Sequence, residues 1–221
     1  MPIVQPVLIA SVSLAAVLAI RAHYLDAGQR WQAYVFKPLA TLLVLALALS
    51  MPAPLPGYRW AVVAGLVCSI AGDVFLMLPR DRFVAGLVSF LVAHLFYLYA
   101  FSLGLRADTV SSLWLPYAAI GGVVTAVIWR DLKPALRGAV ILYTLVITCM
   151  AGQAAGRWQA LGSEAALAAA LGAALFLASD SVLAINRFRA RFPAERAVTL
   201  GTYWAAQTLI ALSVSAGPLP A

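Results

Sequence analysis

Apolar residues run along this chain for most of a helix length at a time, broken by short clusters of proline, glycine and charge. They do not alternate with polar residues, so the pattern predicts helices and no half-buried strands. A helix needs roughly 20 apolar residues to cross the hydrocarbon core, with about 17–25 the working range. Eight such runs are present, near 4–21, 36–52, 59–79, 83–105, 112–130, 138–156, 164–186 and 197–216. The second is short and opens on Lys37-Pro38, where a proline suits a first helical turn. The breakers PAPLPG at 52–57, PRDR at 79–82 and RDLKP at 130–134 are too short to hold a soluble domain. The expected fold is all-α, a polytopic membrane helical bundle of about eight transmembrane helices, with residues 1–221 forming a single integral membrane domain.

Composition strengthens this reading. Hydrophobic residues make up 64% of the chain and charged residues 10%, with a mean hydropathy of +0.95; a soluble domain is near half apolar and a quarter charged. The formal charge of +7 is not a nucleic-acid signal, because the basic residues occupy short connections and form no stripe. They read as orientation signals instead. The connections after odd-numbered runs hold Arg21, Arg30, Lys37, Arg80, Arg82, Arg130, Lys133, Arg137, Arg187, Arg189, Arg191 and Arg196. The opposite side holds only Arg59, Arg106 and Arg157. The asymmetry predicts a bacterial inner-membrane protein with the odd connections in the cytoplasm and both termini facing outward. The first run lacks a basic leader and a clear cleavage site, which predicts a retained span. Cys68 and Cys149 read as small core residues, and two histidines, His23 and His94, are too few for a zinc-type cluster. Trp31, Tyr58, Trp60, Trp114 and Trp158 fall near run ends, as interfacial anchors do.

The chain also aligns with itself. AGDVFLMLPRDRF at 71–83 matches ASDSVLAINRFRA at 178–190, pairing Asp73 with Asp180, Leu76 with Leu183, Arg80 with Arg187 and Arg82 with Arg189. Four spans per half would give two parallel four-helix repeats, 1–110 and 111–221.

Asp73 and Asp180 are the acidic residues deep inside apolar runs; Asp26, Asp81, Asp108, Asp131, Glu164 and Glu195 lie in connections or at run ends. Each precedes a cytoplasmic arginine by seven residues, which sets both roughly 10 Å above that arginine level. Tyr143 and Tyr203 reach the same depth, Ser179, Ser181 and Asn186 flank Asp180, Lys37 lies at the mouth of the second run, and His94 and Gln207 lie deeper. Intramembrane carboxylates are costly and mark sites by default. Interhelical hydrogen bonding is the structural alternative, as is core packing for His94, and Phe96, Tyr97 and Tyr99 read as packing. Two carboxylates close together in low dielectric do not both ionise easily, so such a pair divides into an acid and a base.

The series Lys37-Pro38-Leu39, Gly72-Asp73-x-x-Leu76, Gly86…Phe90…His94-x-Phe96-Tyr97, Tyr143 and Ala178-Ser179-Asp180-Ser181…Asn186 resembles the YhhN-like lysoplasmalogenase family, from about residue 35 to residue 210. The resemblance implies a membrane hydrolase that cleaves the vinyl ether bond of lysoplasmenyl-ethanolamine or -choline to a fatty aldehyde and a glycerophospho-headgroup. Asp73 and Asp180 would be catalytic; Lys37, His94, Tyr143, Ser179, Asn186, Tyr203 and Gln207 would bind substrate or orient water. No metal or cofactor is implied, and the partners are a lyso-ether phospholipid and the surrounding membrane lipid. Such a lipid would come from the inner leaflet, its tail between helices and its headgroup near the cytoplasmic mouth. The alternative is a proton-coupled transporter of lipid or a small molecule, since duplicated halves with intramembrane acids fit that class as well. It is disfavoured by the lack of paired Gly/Pro interruptions. An intramembrane aspartyl protease is disfavoured because no Tyr-Asp pair exists and Ile70-Ala71-Gly72-Asp73 lacks the first glycine of the second motif.

Overall fold

The structure, a computed structural model, describes residues 3–25, 31–105 and 113–218. Arg30, Arg106, Asp26 and Asp108 lie outside them. Eight helices are described: α1 (Val4–Ala22), α2 (Trp31–Ser50), α3 (Pro56–Met77), α4 (Phe83–Ser102), α5 (Trp114–Ile128), α6 (Pro134–Leu161), α7 (Glu164–Phe188) and α8 (Glu195–Leu212), with a 3₁₀ turn at Ser213–Ser215. Among the described residues there is no strand. The molecule is an integral membrane helical bundle, and all helices but α5 are long and apolar enough to cross a bilayer. α5 has 15 residues, about 22 Å of helix against a hydrocarbon core of about 30 Å.

Helix boundaries follow local chemistry. α3 and α6 start on Pro56 and Pro134, each after an extended residue, Leu55 and Lys133; proline lacks an N–H and suits a first turn, and it pushes its predecessor out of helical geometry. The same rule ends α3, where Leu78 before Pro79 is extended. α6 closes on Gly162 in the left-handed region (φ 61°), whose N–H donates to the Trp158 carbonyl, and Ser163 caps α7 by accepting from the Ala166 N–H.

Two elements depart from expectation. α2 starts at Trp31 and not near 36, so Pro38 lies inside it and Lys37 is buried rather than at a mouth. A proline this close to a helix start disturbs only the carbonyl four residues back, that of Tyr34, and the helix continues through it. α6 runs to Leu161, which carries Arg157 into the helix and into the core instead of into an outer connection.

α3 and α4 pack closely because small residues sit between them: a β-carbon on Gly72 would lie 2.7 Å from the Phe90 ring, and one on Gly86 2.6 Å from Leu76. α2 packs on α1, α3 and α8; α8 on α1 and α7; α4 on α6; and α5 on α6 and α7. α3 and α7, which carry the two aspartates, are not packing neighbours. The arginine-rich connections gather at one end, tied by Tyr24 to the Pro193 carbonyl (3.1 Å), by Arg187 to Asp81, and by Arg189 to Asp131 (3.1 Å).

The opposite end is held by Arg157. Its guanidinium donates to the carbonyls of Leu103, Phe101 (3.5 Å) and Gly217 (2.9 Å) and lies 4.8 Å from the centre of the Tyr58 ring. Tyr58 is fully buried and hydrogen-bonded to Ser213 at 2.8 Å. It is a clamp residue and not an interfacial anchor, whereas Trp31, Trp60, Trp114 and Trp158 do face outward. Cys149 also faces outward, and Cys68 is half-buried. Replacing Arg157 by Met leaves three carbonyls without their donor. The expected cost is about 2–4 kcal/mol, read as a lower unfolding midpoint in detergent; an Arg157→Met protein as stable as the parent would contradict the clamp.

Candidate functional site

Asp73 lies one turn from the arginine-rich end of α3 and is buried. Lys37 and Thr41, four residues apart and so on one face of α2, both reach it. The Lys37 ammonium stands 3.2 Å from Asp73 Oδ1, and the Thr41 hydroxyl donates to Oδ2 at 2.8 Å. From α8, the Tyr203 hydroxyl donates to the same Oδ2 at 2.8 Å. The indole N–H of Trp204 in turn donates to Thr41 at 3.2 Å. A buried ion pair stands only when its remaining lone pairs are also satisfied, and these hydroxyls do that.

Asp180 is held differently. The Tyr143 hydroxyl on α6 donates to its Oδ2. His94 Nε2 on α4 lies 3.9 Å from that oxygen, beyond hydrogen-bond range. The imidazole is fully buried with neither ring nitrogen hydrogen-bonded, edge-on to Phe176 and Tyr143 at 4.6 and 5.2 Å between ring centres. Among the described residues no lysine or arginine pairs with Asp180. The arrangement has an internal parallel: Asp73 on α3 is met from α2 and α8, and Asp180 on α7 from α6 and α4.

Both aspartates line one cavity of about 370 Å³ at the arginine-rich end, with Lys37, Asn186, Arg196 and Tyr203 also on its wall. A second, apolar slot of about 70 Å³ adjoins it, lined by Phe90, Val124, Ile128, Tyr143, Leu177 and Asp180 among others. Asp180, Leu76 and Phe90 belong to both walls; Asp73 and Lys37 belong only to the polar one. At the rim, Asp81 is held below the usual carboxylate range by the Arg187 hydrogen bond, with the Phe83 N–H second. A depressed carboxyl group contributes above its unfolded value and loses that contribution as pH falls through the folded one. The Asp81–Arg187 tie is therefore in place at neutral pH and opens in acid.

Of the residues expected at a site, Lys37, Asp73 and Tyr203 come together, as do His94, Tyr143 and Asp180. Ser179 lines the cavity, but its hydroxyl is spent on the Thr199 carbonyl at 2.9 Å. Gln207 lies off the cavity and accepts from Tyr97 at 2.7 Å, its amide nitrogen unpartnered. Tyr97 is thus a buried polar partner and not packing alone, while Phe96 and Tyr99 face outward. Sequence reasoning did not single out Thr41, which reaches Asp73. Thr41 was visible in principle as the residue one turn beyond Lys37.

The pattern of the YhhN family matches residues 32–214. The chain belongs to the YhhN family. The membrane protein YhhN of Escherichia coli O6:H1 is 33% identical over 207 residues, covering 92% of this chain and 96% of its own. Human lysoplasmalogenase TMEM86B is 34% identical over 190 residues, 86% of this chain and 78% of its own. Human lysoplasmalogenase TMEM86A is 36% identical over 159 residues, 69% of this chain and 64% of its own. No solved structure matches the chain. The likeness to proteins named lysoplasmalogenase places this YhhN-family chain in a lysoplasmalogenase-like family.

The Lys37–Asp73 pair gives a direct test of the geometry. Lys37→Met strands a buried carboxylate and is expected to cost about 3–5 kcal/mol in denaturant unfolding from mixed micelles. Adding Asp73→Asn to it should recover much of that loss. A double variant as unstable as the two single losses added would contradict the pairing.

Proposed function

We propose that this protein hydrolyses the vinyl ether bond of a lysoplasmalogen, releasing a fatty aldehyde and a glycerophospho-headgroup. The observation that carries the reading is a polar cavity and an apolar slot that meet at Asp180. A single-chain lipid is polar at one end and apolar at the other, and its vinyl ether lies at the junction. The chemistry asks for a proton on the β-carbon of the double bond, then water on the resulting oxocarbenium carbon, then collapse of the hemiacetal. Asp180 touches both compartments and pairs with no lysine or arginine among the described residues, so it is the proton donor, oriented by Tyr143. Asp73, whose charge Lys37 balances, stands on the polar side as the carboxylate that steadies positive charge and accepts a proton from the attacking water. Lys37 is committed to Asp73. The lipid phosphate therefore falls to Arg82 and Arg196 on the cavity wall, and Asn186 and Ser179 face the same space. His94 keeps the acid in a dry, aromatic setting.

The same reading sets the arginine-rich end in the cytoplasm of a bacterial cell, with both termini outward, so substrate arrives from the inner leaflet. The matched surroundings of the two aspartates support an origin of the halves 1–110 and 111–221 by duplication.

Purified protein given lysoplasmenyl-ethanolamine should release aldehyde. Asp73→Asn and Asp180→Asn should each lower the rate by about 10²–10⁴-fold, with Tyr143→Phe losing less. A folded Asp180→Asn protein that keeps the parent rate would overturn the assignment.

A further inference from the structure

The slot beside Asp180 is too small for a long hydrocarbon chain, so a tail held there must leave the protein at some helix seam. The slot wall is supplied by Phe83, Leu87 and Phe90 of α4, Val124 and Ile128 of α5, and residues of α6 and α7. α4 packs on α6 and α5 packs on α6 and α7, but α4 and α5 form no packed pair. α4 and α7 form no closely packed pair either, but rings meet across that gap, Phe83 on Phe188 at 5.6 Å and Phe90 on Phe176 at 6.2 Å between centres. No hydrogen bond or ring contact among the described residues joins α4 to α5, which leaves that seam the weakest side of the slot. Val84 and Val88 on α4 and Ile120, Val123 and Val127 on α5 are exposed outside that seam, an apolar surface facing lipid. α5 is also the short helix of the bundle, and its second flank, against α6, is closed by the Thr125–Thr144 hydroxyl pair at 3.1 Å. An outer groove runs along that flank past Gly122.

We infer that the α4–α5 seam is the side doorway of the site, through which the hydrocarbon tail of the single-chain substrate lies out into the bilayer while its head occupies the polar cavity. This rests on the lipid-hydrolase reading given above. The occupant is a hydrocarbon chain because the slot wall is apolar and continuous at Asp180 with the polar cavity. The doorway residues Leu87 and Val124 then set preference for tail length and bulk, by narrowing or widening the passage.

The experiment compares two vinyl ether glycerophosphoethanolamines, one with a long tail and one with a four-carbon tail. Leu87→Trp and Val124→Trp should each lower the ratio of long-tail to short-tail kcat/KM at least tenfold, mainly through KM. Gly122→Phe fills the outer α5–α6 groove, where an added β-carbon meets nothing within 4 Å, and should leave the ratio within twofold. The reverse result, with Gly122→Phe selective and both tryptophan variants neutral, would overturn the doorway. Failure of the hydrolase reading is separable. The parent protein is also photolabelled with a diazirine-tailed lysophosphoethanolamine, and labelled peptides are mapped with and without excess unlabelled lysolipid. Saturable labelling on 83–90 and 120–128 upholds the doorway even where no aldehyde is formed. Labelling that is unsaturable there, or saturable only elsewhere, overturns it.

Discussion

The site depends on the burial of Lys37 against Asp73. Removing an ammonium and a carboxylate from water costs several kcal/mol each, and neither group survives in this interior alone. The structure meets that cost with a 3.2 Å ion pair and two hydroxyl donors on the carboxylate. Those donors come from α2 and α8, so the pair pins three helices, α2, α3 and α8, at one level. The close approach of α3 to α4 through Gly72 then ties the pinned group to the helix that carries His94. The second aspartate is placed by a different helix set, across the cavity. Its solitary phenol partner contrasts with the crowded surroundings of the first.

On the proposed hydrolase reading, this inequality gives the two carboxylates separate work. A symmetric pair sharing one proton would need the two side chains in contact, and here each has its own partners. One carboxylate is compensated and faces only the polar cavity. The other has no lysine or arginine partner among the described residues and faces both compartments. Under that proposal, an amphiphile spanning the junction would meet an acid at its apolar side and a negative charge at its polar side, the polarity that carbon protonation and water attack require.

Much of the fold was legible because a bilayer makes apolar run length a direct readout of helices. The eight runs and the gathering of arginines at one end came from local signals, whereas the starts of α3 and α6 lie three to four residues earlier than the runs indicated, on Pro56 and Pro134 inside stretches read only as breakers. The intramembrane aspartates were legible for the same reason, since a carboxylate in hydrocarbon stands out. What escaped was anything set by neighbours remote in sequence. Pro38 read as a helix start because a proline alone does not say how many turns precede it. Lys37 read as a mouth residue because its partner, Asp73, lies on another helix. Arg157 read as an outer orientation signal, yet it is a buried clamp, because only folding brings the Leu103 and Gly217 carbonyls to it. Matched depth placed both aspartates on one cavity wall, but depth carries no information on whether their helices pack together or on which of them would receive the lysine.

On the proposed reading, an aspartic acid in this bundle protonates carbon. The most direct measurement is turnover of lysoplasmenyl-ethanolamine by the purified protein in deuterated water, with mass analysis of the aldehyde. The expected product carries one deuterium on the carbon next to the aldehyde carbonyl. Aldehyde without that deuterium would show that the bond breaks by another route and would contradict the acid role given to Asp180.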